Sequence, residues 1–381
     1  MRIVRLLTVA VCIVAVFATL ALAGNTIKVG AILAVTGPAS FLGAPEAKTL
    51  EMLVEDINAK GGVNGNKIEL IIKDSGGSPE KAVSFAKQLI EEEKVFAIIG
   101  PSTSVETMAI KNIAEDGKTI LISCAAAEVI VNPVAKYVFK TPQKDSYAVI
   151  KIFEQMKKMG ISKIGVLSSN TGFGKAGKEQ IEKLAPDNGI QILVNEVYDK
   201  AATDLTAEVT KVKAANVQAI VNWSIEPAQA IVIKNARQIG MTVPVFQSHG
   251  FGNINYCKMC GPAAEGVIFP AGRLLVVDVL SDKNPQKKLF ESYKKEYEAK
   301  YKEDVSTFGG HAYDAMILLE RGIKDAGSAD KEKVRTALEN IKGLVGTAGI
   351  FNMSPTDHNG LDLNAFEMLT VKDGKFAVLE K

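Results

Sequence analysis

Histidine, tryptophan and cysteine are scarce in this chain, at three, one and four among 381 residues. The histidines, at 249, 311 and 358, are too far apart for the H-E-x-x-H pattern of a helical zinc site. No G-x-S-x-G nucleophile turn and no G-x-x-x-x-G-K-[ST] phosphate loop occurs, so the common hydrolase and nucleotidase signatures are missing. Neither sign of charge prevails. Without Arg2 and Arg5, which lie in the apolar N-terminal segment, the 45 basic residues fall to 43, against 43 acidic ones. No basic stripe or like-charged tail remains, which excludes nucleic acid as the expected partner. Nothing in this inventory calls for a metal or a cofactor.

Cysteine is sparse even where it clusters. Cys12 falls in the first 23 residues, leaving Cys124, Cys257 and Cys260. The last two form a C-x-x-C without a second such pair and without the strand-to-helix setting of a redox motif. A short local disulfide or two inert thiols in a loop are the readings left.

The N-terminus is where apolar residues concentrate. MRIVRLL carries two arginines, an apolar stretch follows, and Ala-Leu-Ala closes it at residues 21–23. That order is expected of a secretory signal peptide spanning 1–23, cut near Ala23 to release an exported, periplasmic protein. The stretch is short for a membrane span. Val11 before Cys12 argues against a lipid anchor, since a small residue belongs there. About 358 residues remain, too many for one core and consistent with two domains.

From residue 27 the chain alternates strands with helices. Apolar strand runs appear at IKVGAILA, KIELIIKD, VFAIIG and TILIS, with helical patterns near 46–59, 79–93 and 104–116. The rhythm repeats at KIGVLSS, IQILVNEVY, QAIVNWS and VPVFQS, with helices near 173–187, 204–215 and 227–239. Wholly apolar strands between amphipathic helices predict an α/β fold with parallel-rich sheets, in two doubly wound lobes. Thr141-Pro142 reads as the passage from the first lobe to the second and 269–273 as the passage back. Three helices near 284–301, 308–326 and 330–341 have no sheet of their own and must cover one already built. The division this suggests is 24–141 plus 273–347 for one lobe and 142–272 plus 348–381 for the other. A terminal hairpin is expected around Asp373-Gly374.

Ligands of open α/β sheets lie beyond the carboxyl ends of the strands, where loops run into helix N-termini. The loops so nominated are 36–43, 100–104, 123–128, 168–174, 223–227 and 247–252. In the second of these, Ser102, Thr103 and Ser104 stand together at the mouth of a helix. One of the serines must cap it, and capping alone explains a single hydroxyl. The extra hydroxyls, with free N–H groups and the positive end of the dipole, suit an anion such as a carboxylate. His249 sits in another nominated loop and is read either as a ligand contact or as structural; His311 and His358 are read as structural or exposed. Trp223, Phe173 and Phe41 are read either as walls of a ligand site or as core. Residues 172–177 fit G-x-G-x-x-G, with Glu196 placed for a ribose, which keeps a dinucleotide-dependent enzyme open as an alternative. Against it, four residues separate the strand from the first glycine, whereas the fingerprint turns at once.

Several segments recur in a known order: TGPASFLG, INAKGGVNGNKIELIIKDSGGSPEKAV, IIGPSTS, ISCAAAE, TGFGKAGKE, ARQIGM and GPAAEGVIFPAGR. Together they resemble the leucine/isoleucine/valine-binding protein family, the type I solute receptors of ABC importers. The resemblance implies two lobes joined by three hinge crossovers, closing on a ligand as a monomer and docking on a membrane permease. It implies that Ser104 gives a hydroxyl, and Ser102 and Ala125 give backbone contacts, to the ligand's polar end, and that Phe173 closes over it. The chain departs from its relatives at two points. Ala127 stands where amino-acid receptors carry a threonine, and His249 where they carry a glutamate; both partners of an α-ammonium group are thereby lost. The expected ligand is a small carboxylate, with an aromatic or another non-amino acid favoured over leucine. A sensor with the same fold, signalling to a receptor, is the other alternative.

Overall fold

The structure, a computed structural model, describes residues 26–380. The expected signal peptide and Cys12 lie outside the described residues. Five strands build the first sheet: β1 (Thr26–Leu33), β2 (Lys67–Asp74), β3 (Ala97–Ile99), β4 (Ile120–Ser123) and β5 (Val138–Lys140). Their order is β2-β1-β3-β4-β5, and every pairing is parallel. The cause is visible in the strands themselves, because β3, β4 and β5 are buried throughout and need helices on both faces.

The second sheet repeats the plan with β6 (Lys163–Ser169), β7 (Gln191–Tyr198), β8 (Ala219–Trp223), β9 (Val245–Gln247) and β10 (Ile268–Ala271), all in parallel. A two-stranded ribbon of β11 (Leu344–Val345) and β12 (Ile350–Phe351) follows. The terminal hairpin, β13 (Glu367–Lys372) and β14 (Lys375–Val378), adds antiparallel strands to the second sheet. Asp373 and Gly374 both take positive φ at its tip, as expected for an Asp-Gly turn. The architecture is the two-lobed, doubly wound α/β fold read from the sequence.

The late helices cover the first lobe, as their lack of a sheet requires. Helix Thr307–Ala326 lays Ala312, Ala315, Leu319 and Ile323 against Leu50, Leu53 and Ile57 of helix Ser40–Ala59. Helix Lys287–Tyr301 closes a small satellite core through Phe290, Tyr293 and Tyr297. Two helices escaped the sequence reading, Asp145–Lys158 and Ile254–Cys260. The second carries the C-x-x-C, so Cys257 and Cys260 are free buried thiols one helical turn apart, neither in a loop nor bridged.

Phe351, Met353 and Leu361, which the sequence division assigns to the second lobe, are buried in the core of the first. Ala365 belongs to that core and Phe366 to the other. We therefore propose the last passage between lobes at 365–366. It is laced to the first passage: Gln143 Nε2 donates to the carbonyls of Ala348 (2.8 Å) and Ala365 (3.4 Å). Asn359 Nδ2 donates to those of Pro142 (2.8 Å) and Lys140 (3.2 Å). Lys140 itself is fully buried, and its Nζ donates to the carbonyls of Ala126 (2.7 Å), Pro142 (2.8 Å) and Gln143 (3.0 Å).

Two substitutions check these causes. Lys140→Met would strand three buried carbonyls and the neighbouring Asp145, costing at least about 3 kcal/mol in urea unfolding. Gly177, in helix Gly172–Leu184, faces Trp223 so closely that a methyl group there would overlap the indole. Gly177→Ala should therefore cost roughly 1–3 kcal/mol by overpacking.

Candidate functional site

Between the lobes lies a small cavity of about 20 Å³, lined by Leu42, Ser102, Ser104, Cys124, Ala125, Ala126, Pro142, Phe173, Ile225, His249, Gly250, Phe308 and His311. All six loops nominated from the sequence reach it, alongside Pro142 of the crossover and Phe308 and His311 of helix Thr307–Ala326. The lobes meet around it. Asn253 Nδ2 donates to the carbonyl of Phe41 (3.1 Å), Thr307 N–H to that of Gly252 (3.1 Å), and Glu128 N–H to Asp145 Oδ2 (3.0 Å).

The Ser102–Ser104 turn arises because β3 ends at Ile99 and Gly100 takes φ +93°, packed too tightly against the carbonyl of Ile32 for a side chain. The cap of helix Ser104–Asp116 is Thr103 and not a serine. Its Oγ1 accepts from Glu106 N–H (3.4 Å) and donates to Glu106 Oε2 (2.5 Å), which turns it away from the cavity. The two serines are thereby released for other work. Ser102 Oγ accepts from Ala34 N–H (3.0 Å) and donates to Glu46 Oε2, so it serves the buried frame. Ser104 Oγ accepts from Ala127 N–H (3.2 Å), which orients the hydroxyl and leaves its proton to give. At the first turn of a helix, N–H groups lack intrahelical acceptors and carry the positive end of the dipole.

Other expected contacts shift. Ala125 lines the cavity, but its N–H donates to Ser123 Oγ (3.1 Å). Ala127 is buried and does not line the cavity. Trp223 is core: fully buried, it stands one layer back, tilted on Phe173 (5.7 Å) and edge-on to His249 (5.6 Å). Phe41 lies in a separate groove between the lobes, edge-on to Tyr256 (5.4 Å). Phe173 and His249 both line the cavity.

His311 corrects the reading of the histidines, because it lines the cavity from the N-terminal half of helix Thr307–Ala326. His358 is structural, stacked on Phe139 at 4.1 Å and bonded through Nδ1 to the carbonyl of Val138 (2.8 Å). Burial, with Lys140 nearby, drives His311 down to about 3. Burial, Lys140 and His311 likewise push His249 well below the ordinary histidine range. Both rings are neutral at pH 7. Burial also raises Asp145, whose Oδ1 lies 3.7 Å from His249 Nε2, too far for a hydrogen bond.

The glycine-rich run serves packing. A methyl group at Gly172 would sit 3.2 Å from Val105 N at the start of the facing helix, and one at Gly174 would strike the Ser169 carbonyl. Glu196 pairs with Lys211 at 2.8 Å. Among the described residues no group of three potential metal ligands is brought together.

Glu46, buried beneath Ser102, yields a pH prediction. Burial raises it from 4.5 to about 8, with the Ser102 hydrogen bond opposing and Glu106 reinforcing. The folded protein thus keeps a proton that the unfolded chain has lost between these values. Its stability contribution is complete below the lower value and fades as pH rises through the upper one. In Glu46→Gln this slope should vanish: between about pH 5 and 8 the wild type should lose up to roughly 1.4 kcal/mol per pH unit relative to the variant, read from urea midpoints.

The family model for periplasmic binding proteins matches residues 26–375. The leucine-, isoleucine-, valine-, threonine- and alanine-binding protein of Pseudomonas aeruginosa is 30% identical over 372 residues, covering 96% of this chain and 93% of that protein. An extracellular ligand-binding receptor from Rhodopseudomonas palustris superposes with a TM-score of 0.88 at 29% identity, over 94% of this chain and all of the other. A solute binding protein of an ABC transporter from R. palustris BisB5, in complex with 3,4-dihydroxybenzoic acid, shares the fold, with a TM-score of 0.81 at 20% identity over 93% and 96% of the two chains.

Proposed function

The chain belongs to the periplasmic binding protein family, as a substrate-binding protein of the branched-chain amino acid receptor type, and from that premise we propose that it captures a small carboxylic acid lacking an α-ammonium group. It does so as an exported monomer, released by cleavage of 1–23, that delivers its ligand to the permease of an ABC importer without chemical change.

The absence of acid from the cavity wall carries this reading. None of its 13 lining residues is Asp or Glu; Asp145 stands behind His249, and Glu46, beneath Ser102, is kept protonated at pH 7 by burial. A buried ammonium without a carboxylate costs several kcal/mol, and Ala127 supplies no hydroxyl in compensation. A carboxylate fares better. It meets the Ser104 hydroxyl and the start of helix Ser104–Asp116, where the dipole and free N–H groups favour negative charge. Leu42, Phe173, Ile225 and Phe308 give the remainder of the ligand an apolar surround. The lobes close by hinge motion about the crossovers.

A second reading, amino-acid capture, is favoured by the name of the P. aeruginosa relative. Thermal unfolding of refolded, ligand-free protein separates the two, using leucine, isoleucine, valine, aromatic carboxylates and 2-oxo acids. At about 100 times its dissociation constant, a ligand of the native state adds roughly 2.7 kcal/mol. Only the deaminated or aromatic acids should raise the midpoint. A shift by leucine or valine would establish amino-acid capture in its place.

A further inference from the structure

Given a carboxylic acid in the cavity, the two histidines of its wall define what else that ligand carries. His249 and His311 are each only 6% exposed. Neither ring nitrogen of His249 has a hydrogen-bond partner, nor has Nδ1 of His311. Buried polar groups are overwhelmingly paired, and each one left bare costs about 1–3 kcal/mol. Three such atoms on two neighbouring rings are a concentrated debt at one place.

The protein cannot settle it from within. His249 is hemmed edge-on by Phe173 (5.3 Å), Trp223 (5.6 Å) and Phe366 (5.6 Å), none of which offers it an acceptor. Asp145 is too distant for a hydrogen bond. His311 is fixed on its helix, where its own carbonyl accepts from Thr141 Oγ1 (2.9 Å) at the crossover. Protonation gives no relief, since burial and the Lys140 charge hold both rings neutral.

A neutral imidazole has one N–H to give and one lone pair to receive. A hydrocarbon group answers neither need. A carbonyl oxygen only accepts, and an ammonium only donates while bringing a charge. A hydroxyl does both: it can accept an N–H from one ring and give its proton to the lone pair of the other, with the two rings in complementary tautomers. We propose that His249 and His311 form a receptor for a ligand hydroxyl, so that the solute is a hydroxylated carboxylic acid. The pair then sets specificity: a site built to hydrogen-bond a hydroxyl rejects the analogue without it, because its own polar groups are left unpaired.

Isothermal titration of refolded, ligand-free protein tests this with pairs differing by one hydroxyl: propionate and lactate, butyrate and 3-hydroxybutyrate, benzoate and 4-hydroxybenzoate. In at least one pair the hydroxylated acid should bind ten times or more tighter. His249→Phe and His311→Phe should bring that ratio close to one. His249→Gln and His311→Gln, which keep a donor and an acceptor, should restore part of it and serve if a Phe variant does not fold. Equal or tighter binding of the plain acid in every pair overturns the hydroxyl receptor and leaves carboxylate capture standing. Binding of leucine or valine with none of the six acids overturns both, as does no binding at all.

Discussion

A single buried ammonium ties the moving parts of this molecule together. Lys140 ends the last strand of the first sheet, has no exposed surface, and gives its three protons to the carbonyls of Ala126, Pro142 and Gln143. One of these lies in a loop of the cavity wall and two lie in the crossover. Burial lowers the proton affinity of Lys140 and raises that of Asp145 beside it, so each charge is tolerated because the other is there. Any displacement of the Ala125–Ala126 wall is therefore felt at the crossover through one side chain. Gln143 and Asn359 extend the same network to the last passage between the lobes.

The cavity inherits its polarity from that arrangement. The positive charge of Lys140 helps keep His249 and His311 neutral, and the start of helix Ser104–Asp116 adds positive potential at Ser104. Acid groups near the site are either neutralised by burial, as Glu46 is, or set behind the wall, as Asp145 is. The balance favours one anionic group and disfavours an ammonium. On the proposed carboxylate reading, selectivity comes as much from what the pocket would leave unpaired as from what it binds.

Much of this was legible in the residues. Wholly apolar runs such as VFAIIG and TILIS marked buried parallel strands, and the strand-end rule brought all six nominated loops to the cavity. Long-range burial was not legible. Lys140 and Glu46 look like surface charges in a linear chain, and only the packed fold reveals their cost. His311 sits in a helix remote in sequence from every nominated loop, so no local pattern could place it beside His249. Thr103 rather than a serine caps the helix, which leaves Ser102 to Glu46 and Ser104 to Ala127, partners remote in sequence. Trp223 became core because Gly177 leaves just enough room for an indole. The glycine-rich run that imitates a dinucleotide site has the same cause, since its glycines let the helix approach the sheet and the facing lobe.

The central claim concerns which end of a ligand meets which wall. A crystal structure of the protein with its tightest-binding solute would show this directly. The account predicts a carboxylate within hydrogen-bond distance of Ser104 Oγ at the start of helix Ser104–Asp116, with an uncharged group against His249 and His311. An α-ammonium in contact with the histidines, or a carboxylate bound away from Ser104, would contradict it.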